Sequence, residues 1–201
     1  MKSVLNVGGN NRSIALPAYF DGWQQVLLDI DPEGEPDLLM DARNMLDLPA
    51  GTYDAAYCSH NLEHFDRHDA PKVIRGMFHV IKPEGFVEAR VPDIGQVMQT
   101  VVQKGLDLDD VLYTCAAGPI LVRDAIWGCG HNIERMSKPY FAHRTGFTSK
   151  SLARIFTECG SKAYAMRRIP PFQLVGYFFL SAPGDDVLQA LRLKLPSPFA
   201  G

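Results

Sequence analysis

Four short groups of residues, spaced in order along the first third of the chain, have the side chains to hold a nucleoside-bearing ligand. Leu5-Asn6-Val7-Gly8-Gly9-Asn10 closes an apolar run with a glycine turn, and such a turn lets a ligand approach the backbone closely. About twenty residues further on, the spacing at which an acid meets a ribose diol in nucleotide-binding folds, Leu28-Asp29-Ile30-Asp31 closes a second apolar run. Asp41-Ala42 follows a third run. A carboxylate there suits an adenine amino group, and the adjacent backbone N–H suits a ring nitrogen. A fourth run ends in Cys58-Ser59-His60-Asn61-Leu62-Glu63-His64, a crowd of polar groups at the end of a strand. Each group also has a plain structural alternative: an ordinary turn for Gly8-Gly9, a strand-end turn cap for Asp29, the N-cap of a helix over 42–46 for Asp41, and a structural hydrogen bond for His64. Their order along the chain, rather than any one of them, marks a site.

Elements that would position these groups are legible around them. Apolar runs predict strands over 3–7, 25–30, 36–40, 53–58 and 85–91. Asp69 reads as an N-cap and Pro71 as a first-turn residue of a helix striped by Val73, Ile74, Met77, Phe78 and Ile81, which Lys82-Pro83-Glu84-Gly85 then ends in a turn. Residues 11–22 hold Pro17 and Gly22 and predict a loop with a helical turn or two. Helices over 94–104 and 149–159, the second capped by Thr148, strands over 163–168 and 173–181, and a tail helix over 185–193 complete the pattern. Alternating strands and helices predict an α/β fold: a doubly wound, mostly parallel seven-stranded sheet with helices on both faces. The whole chain reads as one domain, 1–201. Within it, residues 94–147 form an insertion that shows little periodicity beyond its first helix and is placed to meet substrate.

These motifs resemble the class I, Rossmann-like S-adenosylmethionine-dependent methyltransferases, in particular the methyltransferase-11 type. The likeness is carried by LNVGGN, VLLDIDP, DARNMLDLPAGTYDAAYCSHNLEHF and VIKPEGFVEARVPD, and more loosely by HRTGFTSKSLARIFTECG. It implies that Val7, Gly8 and Gly9 approach the methionine part of the cofactor. Asp29 would hold the ribose, Ile30 would pack on the adenine, Asp41 and Ala42 would read its edge, and Ser59 and His60 would line the methyl-donor end. Asn6 stands where the family usually carries an acid, and Asn10 where it carries a second glycine. An amide oxygen can still accept from the cofactor's ammonium, without a charge to strengthen the bond. Many relatives carry an N-terminal helix that covers the cofactor, whereas this chain starts at its first strand, so a lid is expected from elsewhere or not at all.

Methyl transfer needs a base only when the acceptor must lose a proton. His60 and His64 are the candidate catalytic residues, with His131, His143 and Tyr140 as further candidates. Trp127, Tyr140 and Phe141 suit either an aromatic substrate or the core. Cys129 and His131 stand close, but no second pair at ligand spacing completes a site, so no metal is expected. With 201 residues, 46% hydrophobic and a formal net charge of −3, the chain shows no basic excess that would advertise nucleic acid. Arg167-Arg168 reads as a solvated strand end. No apolar run approaches the roughly 20 residues that span a bilayer. Four cysteines without a C-x-x-C pair read as reduced thiols in a cytoplasmic protein. The expected ligands are S-adenosylmethionine, its product S-adenosylhomocysteine and a small-molecule acceptor, with a homodimer as an option. An inactive binding module or partner subunit of the same fold is the alternative. A nicotinamide-dependent oxidoreductase is disfavoured because the turn lacks the glycine spacing that admits a pyrophosphate.

Overall fold

The computed structural model describes residues 1–116, 118–130, 133–134 and 141–194. Strand β1 (Ser3–Val7) leads through a 3-10 turn (Ala18–Phe20) to β2 (Gln24–Asp29), and a second 3-10 turn (Pro32–Gly34) leads to the two-residue β3 (Leu38–Leu39). A 3-10 helix (Ala42–Asp47), β4 (Tyr53–Ser59), another 3-10 turn (Leu62–His64), α1 (Ala70–Val80) and β5 (Ile81–Pro92) follow. Then come α2 (Ile94–Lys104), β6 (Val111–Cys115), β7 (Gly118–Leu121), α3 (Val122–Trp127), α4 (Ser149–Glu158), β8 (Ala163–Ile169), β9 (Gln173–Phe179) and α5 (Asp185–Ala190).

The main sheet has seven strands in the order β3-β2-β1-β4-β5-β9-β8. Pairs from β3 to β5 are parallel, and β9 runs antiparallel to both β5 and β8. The expected α/β sheet is present, with one reversed strand. Because the chain winds outward from β1 to β3 and then crosses back to β4, the loops after β1 and β4 diverge and leave a crevice at their carboxyl ends.

Alternate residues of the strands serve two faces. On one, Leu5, Val7, Leu28, Ala56, Cys58, Val87, Ala89 and Phe178 pack under Met45, Val73, Ile74, Met77, Leu152 and Phe156 of the helices. Phe156 lies flat on Phe178, with ring centroids 3.7 Å apart. The other face has no long helix from the β1–β2 connection. Phe20 covers it instead, against Tyr57, Trp23 and Phe86, together with Leu191 at the end of α5. Glu88 is fully buried there. It accepts hydrogen bonds from the Tyr19 hydroxyl and from Arg90 Nε at 2.8 Å. Burial pushes its carboxyl above the usual range, and those two donors resist the shift.

Several local expectations are corrected. Strand β5 starts at Ile81, which pairs with Tyr53. The next pair is Ala55 with Phe86, so Lys82-Pro83-Glu84-Gly85 is an excursion within the strand and not a turn before it. The third strand keeps only two of its five expected residues. Asp69 occupies the N-cap position of α1, but its side chain accepts no helix N–H. The solvated strand end holds for Arg168, which is exposed yet pairs at 2.7 Å with the fully buried Asp93, but not for Arg167, which donates to the Tyr177 hydroxyl and the Leu191 carbonyl at 2.8 Å each. The stretch read as irregular contains a two-stranded antiparallel sheet, β6 with β7, and α3, packed with α2 around Val97, Leu112, Val122 and Ala125. Strands of four and five residues that are half-exposed carry too little alternation to be read from sequence. Among the described residues no helix is long and apolar enough to cross a membrane.

Phe156→Ala removes a fully buried ring stacked on the sheet, and should lower unfolding stability in urea by about 3–5 kcal/mol without changing the far-ultraviolet circular dichroism.

Candidate functional site

Gly8 closes β1 with φ +78°, a left-handed conformation that favours glycine, and its N–H donates to the Leu28 carbonyl at 2.8 Å. A Cβ built there would lie 2.4 Å from the Asn61 side chain. The loops after β1 and β4 therefore touch at a point where only glycine fits. Beside it opens a cavity of about 200 Å³. Six of the residues singled out in the sequence line it: Gly8, Asp29, Ile30, Asp41, Ala42 and His64. Asp29 Oδ1 accepts the Asp31 N–H at 2.8 Å. Ile30 is 53% exposed although apolar, a large side chain left open at the cavity wall.

The other predicted residues do not line this cavity. Val7 is buried with its side chain in the core. Asn6 is buried and lies across Gly9, where a Cβ would come within 2.2 Å of its amide. The Asn10 backbone packs on Gly34. Ser59 ends β4. His60 takes a left-handed backbone (φ +50°), and its Nε2 lies 2.7 Å from the Gln173 amide nitrogen. His131 and Tyr140 lie outside the described residues. Trp127 is 54% exposed.

Charged side chains that the motifs did not single out also line the cavity: Arg43, Asp66, Asp69 and Arg144. Arg43 grips Asp41 through Nε, 3.0 and 2.9 Å from its two oxygens, and reaches Asp69 Oδ2 at 2.9 Å. Asp41 also accepts the Arg43 backbone N–H at 2.9 Å, capping the 3-10 helix. The expected cap is thus made by a side chain that also lines the cavity. The hydrogen bonds from Arg43 hold the Asp41 carboxyl below the usual range. Lys72 (Nζ at 2.7 Å) and Arg43 pull Asp69 down to about 2. Only the sequence neighbour relation of Arg43 to Asp41 hinted at this bridge.

A second group adjoins the first through His64. Arg144 N and Thr145 N donate to the Glu63 carbonyl at 2.8 and 3.1 Å, tying the loop before α4 to the turn after β4. This brings His143 to His64, with ring centroids 5.1 Å apart. The His64 Nδ1 lies 3.2 Å from the Ala142 carbonyl. Burial pushes the His143 imidazole below its usual value, and the Glu63 carboxylate pulls it back. Glu63 is 1% exposed. An imidazole on a cavity wall, as His64 is, suits proton transfer to or from a bound molecule.

A family profile described as a methyltransferase domain matches residues 1–164. No curated protein matches the chain. Solved structures with the same fold include a SAM-dependent methyltransferase from Archaeoglobus fulgidus, with 13% identity, TM-score 0.54, and coverage of 88% of this chain and 85% of that one. They also include a SAM-dependent methyltransferase from Methanosarcina mazei, with 14% identity, TM-score 0.54, and coverage of 89% and 92%. A third is the Burkholderia thailandensis 1,6-didemethyltoxoflavin-N1-methyltransferase, bound to its substrate and S-adenosylhomocysteine, with 15% identity, TM-score 0.52, and coverage of 88% and 70%.

The Asp69 ion pairs predict a pH dependence. A carboxyl whose folded value lies below its unfolded value of 3.8 contributes stability that is complete above that value and is lost as the pH falls toward about 2. Urea unfolding from pH 5 to 2 should show wild-type stability falling through this window, and Asp69→Asn should flatten the fall.

Proposed function

The chain belongs to the methyltransferase-domain family, and from that premise we propose that it transfers a methyl group from S-adenosylmethionine to a small-molecule acceptor. The observation that carries this reading is the convergence of Gly8, Asp29, Ile30, Asp41 and Ala42 on one cavity at the carboxyl ends of β1 and β2. The residues fit the cofactor. Gly8 lines the cavity without a side chain of its own, Asp29 offers carboxylate oxygens to a ribose, and the exposed Ile30 offers an apolar face to an adenine. Asp41 and the Ala42 N–H would read the adenine edge, with Arg43 orienting the carboxylate. Val7, Gly9, Asn6 and Asn10 would contribute around the methionine end, and Ser59 and His60 near the methyl. The finer likeness, to the methyltransferase-11 type, rests on the LNVGGN, VLLDIDP and VIKPEGF motifs.

When bound, the cofactor supplies a sulfonium methyl that carries its own activation, and it departs as S-adenosylhomocysteine. What remains for the chain is alignment of the acceptor and removal of its proton. His64 lines the cavity, so its imidazole is placed to take that proton. A second reading, a binding module of the same fold that does not turn over, is favoured by one observation: Asp41 is already engaged by Arg43.

Calorimetric titration with S-adenosylhomocysteine tests the site. The wild type should bind in the micromolar range, and Asp29→Ala should weaken binding by about 1–3 kcal/mol by leaving the ribose hydroxyls unpaired. Absence of binding overturns the proposal. Unchanged affinity in the variant moves the ribose away from Asp29.

A further inference from the structure

Glu63 poses a problem that the methyltransferase reading does not solve. Its side chain is 2% exposed, and among the described residues neither carboxylate oxygen has a hydrogen-bond partner. A buried carboxylate is normally hydrogen-bonded, ion-paired or bound to a metal. The nearest basic atom, His60 Nδ1 at 3.3 Å, belongs to a side chain that is 49% exposed and is charged only when protonated.

What surrounds Glu63 answers the problem. The ligand atoms of Glu63, His64 and His143 all lie within 4.8 Å of one another. A tetrahedral zinc ion, with bonds of about 2.0–2.1 Å, holds its ligands about 3.3 Å apart, so small side-chain rotations close the set. His64 also makes the backbone contact that orients a metal-ligating imidazole. His64 Nδ1 faces the Ala142 carbonyl at 3.2 Å; as the donor to it, that nitrogen leaves the Nε2 lone pair for an ion. The loop that carries His143 is fixed by backbone hydrogen bonds from Arg144 and Thr145 to the carbonyl of Glu63 itself, and by His143 N to the Trp127 carbonyl at 3.0 Å. The three side chains are thus held together by the fold and do not meet by chance at a mobile surface.

We propose that Glu63, His64 and His143 form a binding site for a divalent transition-metal ion. Two imidazoles and one carboxylate suit zinc and leave at least one coordination position for another ligand. His64 also lines the cavity, so an ion held here lies at the cavity wall and, when bound, replaces the His64 imidazole in activating the acceptor. Its open position suits a small molecule with an oxygen or nitrogen donor, which narrows the acceptor class; this last step rests on the methyltransferase reading, whereas the metal site does not.

The experiment uses the full chain, stripped with a chelator and dialysed, then titrated calorimetrically with zinc alone. One ion per chain, bound in the micromolar range or tighter, is expected. Glu63→Gln and His143→Ala should each bind at least ten-fold more weakly while keeping the wild-type circular dichroism. If either variant fails to fold, two measurements on the wild type decide. Zinc should protect His64 and His143 from diethylpyrocarbonate, read by peptide mass spectrometry, and cobalt in place of zinc should give visible bands without a thiolate charge-transfer band. No stoichiometric binding, a thiolate band, unprotected histidines, or folded variants with wild-type affinity would each overturn the site. A parallel titration with S-adenosylhomocysteine separates the two proposals. Zinc binding without it leaves the metal site standing and removes the methyl-transfer reading, and the reverse result does the opposite.

Discussion

The cleft depends on β1 lying between β2 and β4. Parallel pairing on both sides fixes β1 in the middle of the sheet, and the chain must leave it in one direction for β2 and return on the other side as β4. The cavity opens beside the point where this crossing separates the loops after β1 and β4. The divergence is limited by one contact, Gly8 against Asn61, where a Cβ would collide at 2.4 Å. Glycine at that point, in a left-handed conformation, lets the two loops come close enough to share a wall.

Two buried carboxylates show how differently the fold treats charge. Glu88 lies on the face that lacks a long helix, and the sheet surrounds it with Tyr19, Arg90 and Tyr177. Its desolvation is offset locally, and the group belongs to the architecture. Glu63 is as deeply buried but has no hydrogen-bond donor among the described residues, and imidazoles stand beside it. A fold that satisfies one acid so fully and leaves the other open, beside the cavity, separates a structural carboxylate from one that awaits a ligand or a proton.

Arg43 links the cavity to the packing beneath it. It ties Asp41, at the start of the 3-10 helix, to Asp69, at the start of α1. One guanidinium therefore orients a ligand-facing carboxylate and braces two elements that pack on the same face of the sheet. The geometry of this side of the cavity and the docking of α1 are thereby coupled.

Local patterns determined most of the main sheet. β1, α2 and the N-cap of α4 fall where periodicity and capping residues put them, because short-range rules decide strands buried on both faces and helices with a clear stripe. The glycine turn, Asp29, Asp41-Ala42 and the polar end of β4 were legible as a set, since a parallel sheet gathers the ends of its strands at one edge. The β6–β7 hairpin was not, because its half-exposed strands carry no alternation. Nor was the role of Arg167 and Arg168, whose partners Tyr177, Leu191 and Asp93 are brought to them by β9, α5 and β5. The same holds for Glu63, His64 and His143: two neighbours in sequence and a third 79 residues beyond His64 show no ligand spacing, and only the loop anchored on the Glu63 carbonyl makes them one cluster. Sequence determined which residues end each strand; the tertiary structure decided which of those ends face one another, because that choice rests on contacts between segments far apart in the chain.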